Sequence, residues 1–174
     1  MGRARAAAAL SGRTRRRPVE TLLIALVVMA ALFALARFVL VPRLSTESAA
    51  TGPVAAADGA PTLGDCPGSP NCAGSEASDP ARRTERLRIG TGGADALDAV
   101  ERWLEGEPDA RVERRDGDYL HATFTSRLMG YTDDVEFLAM PDGAVAIRSA
   151  SRLGRSDLGA NARRVERIRT ALGG

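Results

Sequence analysis

Residues Thr21 to Val41, TLLIALVVMAALFALARFVLV, form an apolar run of about twenty residues broken only by Arg37. A helix needs roughly that length to cross about 30 Å of hydrocarbon, so this stretch constrains the chain more than any other. Arg3, Arg5, Arg13, Arg15, Arg16 and Arg17 precede it, with no acid before Glu20. Cationic flanks stay on the cytoplasmic side, which places the tail inside and everything after Pro42 outside. The expected organisation is a basic cytoplasmic tail (1–18), a transmembrane helix (19–42), a linker (43–65) and an extracytoplasmic domain (66–174). That describes a single-pass bacterial membrane protein whose first partner is the lipid bilayer. A cleavable signal peptide is the other reading, because Ala34-Leu35-Ala36 resembles a processing site after an apolar core. Arg15-Arg16 hints at a twin-arginine signal, but Arg17-Pro18-Val19-Glu20 does not continue one well.

The charge is divided along the chain. Residues 1–43 hold eight Arg and one acid, or +7, whereas residues 44–174 hold sixteen Arg against twenty-one acids, or −5. A mildly acidic exported domain argues against a nucleic-acid partner. Residues 43–65 are mostly Ala, Gly, Ser, Thr and Pro and read as a flexible tether. The following residues suffice for one small domain with a modest core.

Within that domain Arg86 to Gly90 reads as a short first strand, followed by a break at Gly92 and Gly93. Ala96, Leu97, Val100, Trp103 and Leu104 recur at helical spacing, so a helix is expected over 94–105, ended by Gly106 and Pro108. Residues 110–115 and 118–127 read as strands joined at Asp116-Gly117. Residues 131–140 and 144–152 read as a second pair turning through Pro141-Asp142-Gly143. Ser156 or Asp157 can cap a last helix with Val165, Ile168 and Leu172 on one stripe. The expected fold is α+β, a small antiparallel sheet of about four to five strands with two helices on one face, preceded by the transmembrane helix.

Alternation places Leu120, Ala122, Phe124, Val135, Phe137, Val145 and Ile147 on the face the helices cover. His121, Thr123, Thr125, Asp134, Glu136, Arg148 and Arg152 fall on the other. That second face is either a solvated surface with cross-strand charge pairs or a polar platform for a ligand. Asp133 and Ser149 fall on the apolar face near strand ends, where polar groups need partners.

Three segments, CPGSPNC (66–72), DYLHATFTSRLMGYTDDVEF (118–137) and IRSASRLGRSDLGANARRVERIR (147–169), resemble the bacterial and plastid family catalogued as domain of unknown function 1499. Its members carry C-P-x-S-P-N-C, G-[FY]-x-D-D-x-E-F and R-S-x-S-R-x-G-x-x-D-x-G-x-N-x-x-R. These map onto Cys66 to Cys72, Gly130 to Phe137, and Arg148 to Arg164. After the second cysteine, Ala73-Gly74-Ser75-Glu76 stands where V-S-S-Q is usual. The resemblance spans nearly all of residues 62–172 and implies a fold and export, without a mechanism.

Cys66 and Cys72 read most economically as a disulfide closing a Pro-braced loop outside the cell. Zinc is the rival, but two thiols and one distant histidine fall short of four ligands. A redox pair is the third option, against the C-x5-C spacing. His121 is the only imidazole. A general base needs a reacting proton in reach, and Asp134 or Glu136 could orient this ring across the sheet. Arg148, Arg152 and Arg155 approach the start of the last helix, where free amides favour anions, unless Asp157 occupies those amides itself.

The candidate ligand-binding residues are therefore Glu136, Arg148, Ser149, Ser151, Arg152, Asp157 and Asn161. The candidate catalytic ones are His121, Asp133 and Asp134. No cofactor fingerprint and no metal site is read. The sequence leans away from catalysis, towards a binding or structural module of the cell envelope with a ligand or protein partner it does not name. The alternative is a hydrolase-like enzyme using His121 with Asp133 or Asp134.

Overall fold

The computed structural model describes residues 17–90 and 93–173. Arg3, Arg5, Arg13, Arg15, Arg16 and Gly92 lie outside the described residues, and so does most of the expected basic tail. The chain divides into two compact units, one ending at Leu40 and one beginning at Val41.

The first unit carries helix α1 (Arg17–Leu35), continued by a π-helical turn, Ala36–Leu40. Pro18 sits in the first turn, where a missing N–H costs nothing. The π turn comes just before Pro42, whose ring cannot follow a regular helix without a clash one turn back. Residues Pro18–Leu44 are long and apolar enough to cross a membrane, as both a retained anchor and a signal sequence would be.

The second unit opens with a short helix α2 (Val41–Leu44) and a two-stranded hairpin, β1 (Pro53–Ala55) with β2 (Pro61–Leu63). Then come β3 (Cys72–Gly74), α3 (Gly93–Glu105), β4 (Ala110–Asp116), β5 (Tyr119–Thr125), β6 (Thr132–Ala139), β7 (Val145–Ser151) and α4 (Ala160–Leu172). Five strands form one antiparallel sheet in the order β3-β7-β6-β5-β4. The fold is α+β, as the alternation and spacing imply.

One face of this sheet packs on α3 and α4. Leu120, Ala122, Phe124, Val135, Phe137, Val145 and Ile147 meet Leu97, Val100 and Leu104 of α3 and Val165 and Ile168 of α4 in one buried cluster. Burying the Val, Leu, Ile and Phe side chains of this cluster contributes about 1.5–3 kcal/mol each before the entropy of ordering is subtracted. The opposite face carries a smaller cluster in which Leu63 of β2 covers Tyr119, Leu138 and Ala146.

Three local expectations differ from the structure. Arg86–Gly90 is not a strand: Leu87 makes a single antiparallel bridge to Val145, with N···O distances of 2.8 Å both ways. The next stretch of that β7 edge is already taken, by Ser75 N on Ile147 O at 2.8 Å and by β3, residues 72–74 against 148–150. Neither Ser156 nor Asp157 occupies the N-cap of α4, because Gly159 does, with φ of 79°. Residues 43–65 do not run as a structureless tether either. They hold α2 and the hairpin, and the stretch between them lies on the polar face of the sheet.

Candidate functional site

The polar face is built by β5, β6 and β7. Register sets Glu136 opposite both His121 and Arg148, and alternation brings Asp134 and Arg152 to the same side. Four charged groups result, in two pairs. Arg152 Nε and Nη2 each donate to Asp134 at 2.8 Å, and Arg148 Nη1 donates to Glu136 Oε2 at 2.8 Å. Asp134 and Glu136 are fully buried, and Arg148 nearly so. The face is therefore neither a solvated surface nor an open platform. Residues 45–52, Ser-Thr-Glu-Ser-Ala-Ala-Thr-Gly, cover it.

That covering segment is held mainly by its backbone. Ala49 N donates to Asp134 Oδ2 at 2.7 Å, and Thr51 N and Gly52 N donate to Glu136 Oε1 at 3.0 and 2.8 Å. Arg148 Nη1 donates to Ala49 O at 2.7 Å, and Arg152 Nη1 to Ser45 O at 3.2 Å. Carboxylates thus accept the segment's N–H groups while guanidiniums serve its carbonyls. Ser48 adds one side-chain bond, Oγ to Asp134 Oδ1 at 2.9 Å.

These contacts set the local acidities. Burial pushes the Asp134 carboxyl up, but donors from His121, Arg152, Ala49 N and Ser48 outweigh it and hold the group well below the usual carboxylate range. Arg152 is raised, chiefly by its hydrogen bond to Asp134. Tyr119 donates to Glu136 Oε1 at 2.9 Å; burial first, then the Glu136 charge, pushes its phenol well above the ordinary value.

His121 Nε2 lies 2.7 Å from Asp134 Oδ1, so this pair does form. The Asp134 oxygens are already filled by Arg152, Ser48 and Ala49, and the ring sits among groups that fix position. Asp133 is on the opposite face, 2.6 Å from Arg164 Nη2, so the His121–Asp133 combination does not assemble.

The remaining candidates gather on that opposite face, at the start of α4. Ser149 Oγ donates to Asn161 Oδ1 at 2.5 Å, and Asn161 Nδ2 donates to Ser151 Oγ, Asp157 Oδ2 and Asn71 O at 2.9, 2.8 and 2.9 Å. Asp157 also accepts from Gly159 N at 2.9 Å and Asn161 N at 2.7 Å. Asp157 thus occupies the helix-start amides from outside the cap position, and Arg148 and Arg152 are turned to the other face. The seven ligand candidates split into two clusters separated by the sheet.

Cys66 and Cys72 are joined, with sulfurs 2.03 Å apart. No group of three or more metal-ligating side chains occurs among the described residues.

Residues 62–172 match the family model described as "Protein of unknown function (DUF1499)". The chain belongs to this family. No curated protein and no solved structure matches it. The DUF1499 match begins at Thr62, so Asp134, Glu136, Arg148 and Arg152 lie inside it, while the segment they hold lies before it.

Sequence reasoning missed Tyr119, Ser48, Ala49, Thr51, Gly52, Asn71 and Arg164. Tyr119 was within reach, since alternation places it beside His121. The covering segment was not, because backbone N–H and C=O groups leave no mark on residue identity.

Proposed function

We propose that this DUF1499 chain is a non-catalytic module of the cell envelope, tethered by its apolar helix with the N-terminus inside, whose polar sheet face clamps an extended polypeptide. One observation carries this reading: two buried acid–arginine pairs meet residues 45–52 through alternating N–H and C=O groups. Such an arrangement recognises main chain and tolerates varied side chains, as strand addition does at a sheet edge. The occupant is small and polar, so it adds little apolar burial and is held by hydrogen bonds. Each acid accepts from several donors, which suits fixed binding and leaves no free base.

The test uses the full chain in detergent. Ala49→Pro with Thr51→Pro removes two of the N–H donors and frees the segment. A fluorescent peptide of sequence Ser-Thr-Glu-Ser-Ala-Ala-Thr-Gly should then bind the double variant in trans. Wild type should bind it at least about tenfold more weakly, because its own segment competes at a high effective concentration. A peptide N-methylated at the positions of Ala49 and Thr51 should not bind. If the folded double variant, checked by near-UV circular dichroism, ignores the unmodified peptide, the clamp is not a binding site.

A further inference from the structure

We infer that the end of the sheet carrying the β5–β6 turn and the β7–α4 loop rests on a lipid bilayer surface. The inference does not depend on whether the clamp binds a polypeptide in trans; it depends on the apolar helix being retained in a membrane.

The first observation is where the chain leaves that helix. The apolar stretch ends at Leu44, and the carbonyl of the next residue, Ser45, accepts from Arg152 Nη1 at 3.2 Å. Arg152 marks the C-terminal end of β7, and its own N–H donates to Thr132 O at the start of β6 at 3.1 Å. Consecutive Cα atoms are about 3.8 Å apart, so Leu44, which belongs to the second unit, stands close to this end of the sheet.

The second observation is what else stands at that end. Leu128 is 71% exposed in the β5–β6 turn, Tyr131 is 44% exposed beside it, and Leu158 is 85% exposed in the β7–α4 loop. Leu158 has φ of 54°, a left-handed conformation that L side chains rarely adopt. The loop is fixed there by Leu158 N to Ser156 Oγ at 3.3 Å and Gly159 N to Asp157 Oδ1 at 2.9 Å. A strained turn that holds a leucine outward suits an apolar phase more than water. Arg127 and Arg155 flank these residues, both exposed and in no ion pair among the described residues. An aromatic and leucines set among free cations is the pattern of an interface with headgroups, the cations meeting anionic lipid.

The opposite end of the same sheet differs. Among the described residues its turns, 116–118 and 141–143, expose no large apolar side chain, and their cations are taken up by acids, Arg114 by Asp116 and Arg86 by Asp142, with Asp118 exposed beside them. The polarity from one end to the other fits one end down on a membrane.

The wild-type full chain in nanodiscs of phosphatidylcholine and phosphatidylglycerol, with and without a lipid bearing a gadolinium headgroup chelate, tests this by amide NMR. Expected is loss of signal at residues 127–131 and 155–158, with the turns at 116–118 and 141–143 retained. Arg127→Glu with Arg155→Glu should restore the lost signals, with the rest of the spectrum unmoved. Equal loss at both ends, loss at the acidic turns alone, or no local loss would overturn the inference.

Discussion

Asp134 and Arg152 meet as a two-pronged pair, Nε to Oδ2 and Nη2 to Oδ1, each at 2.8 Å. Their surroundings are unequal, since the Asp134 side chain is fully buried and that of Arg152 is 17% exposed. Removing the arginine takes the counter-ion from a carboxylate that stays buried with only His121, Ser48 and Ala49 N around it, whereas removing the acid leaves a guanidinium that can reach water. Breaking a buried pair costs about 3–5 kcal/mol when the remaining charge stays buried. Arg152→Ala is expected in that range and Asp134→Asn below it. Urea unfolding midpoints decide the order, and a larger loss for Asp134→Asn would reverse the account.

Asp134 also predicts how stability responds to acid. Its folded-state carboxyl titrates below the unfolded value of about 3.9, so the folded form binds fewer protons in that range. The contribution is fully present above the unfolded value and is lost as pH falls through the folded one. Stability of the wild-type chain should therefore decline below about pH 4. Asp134→Asn should decline less steeply over the same range. Unfolding midpoints collected between neutral and acid pH show whether the two profiles converge at low pH.

The structure and the chain's one-dimensional pattern agree where side chains carry the information. Alternation assigns Leu120, Ala122 and Phe124 to the helix face, and the register places Arg148 opposite Glu136, so the two ions within reach are legible. The same alternation separates Ser149 and Ser151 from Arg148 and Arg152, although nearness in sequence suggests one surface. Gly159 at the α4 cap is not legible, because Asp157 offers the stronger capping signal and instead binds two amides from further out. Residues 45–52 are the largest omission. Their composition argues for entropy and against order, and the partners that order them are the buried acids and arginines elsewhere in the chain.

Tyr119 gives a second pH signature, with the opposite sign. Burial and the neighbouring Glu136 favour the neutral phenol in the folded chain, so its pKa lies above the unfolded value of about 10. The stabilisation is present below that value and lost as pH rises towards the folded one. In a Tyr131→Phe background the ultraviolet ionisation signal belongs to Tyr119 alone. It should appear at higher pH than in urea, and Glu136→Gln should move it down. A phenol that titrates at its unfolded value in the folded chain would contradict the hydrogen bond.

Ser45 has a buried hydroxyl with no hydrogen-bond partner among the described residues. Its carbonyl is used by Arg152 and its N–H by Val41 O at 3.0 Å, so only the side chain is unsatisfied. A buried polar group left unpaired costs about 1–3 kcal/mol. Ser45→Ala is therefore expected to stabilise the domain, by about 1 kcal/mol after loss of a small packing contribution. A thermal unfolding scan that moves down for Ser45→Ala would mean the hydroxyl is served by an ordered water.

Asn161 is the joint between β7, the Cys66–Cys72 loop and α4. It accepts from Ser149 Oγ at 2.5 Å and Arg164 Nη1 at 2.6 Å, and its amide donates to Ser151, Asp157 and Asn71. Asn161→Ala removes one member of a buried network and leaves several groups unpaired, so a loss of about 2–3 kcal/mol is expected. Asn161→Asp keeps the shape but, as a carboxylate, donates no hydrogen bond at all, and it sets a second negative charge against Asp157. Charge repulsion adds to the lost donors, so Asp should cost more than Ala at neutral pH. Protonating the new carboxyl relieves that repulsion, and the gap between the two variants should narrow as pH falls. Urea midpoints for the two variants at neutral pH and at about pH 4.5 test both statements, and a gap that widens in acid would mean that Asp157 is not the acid facing position 161.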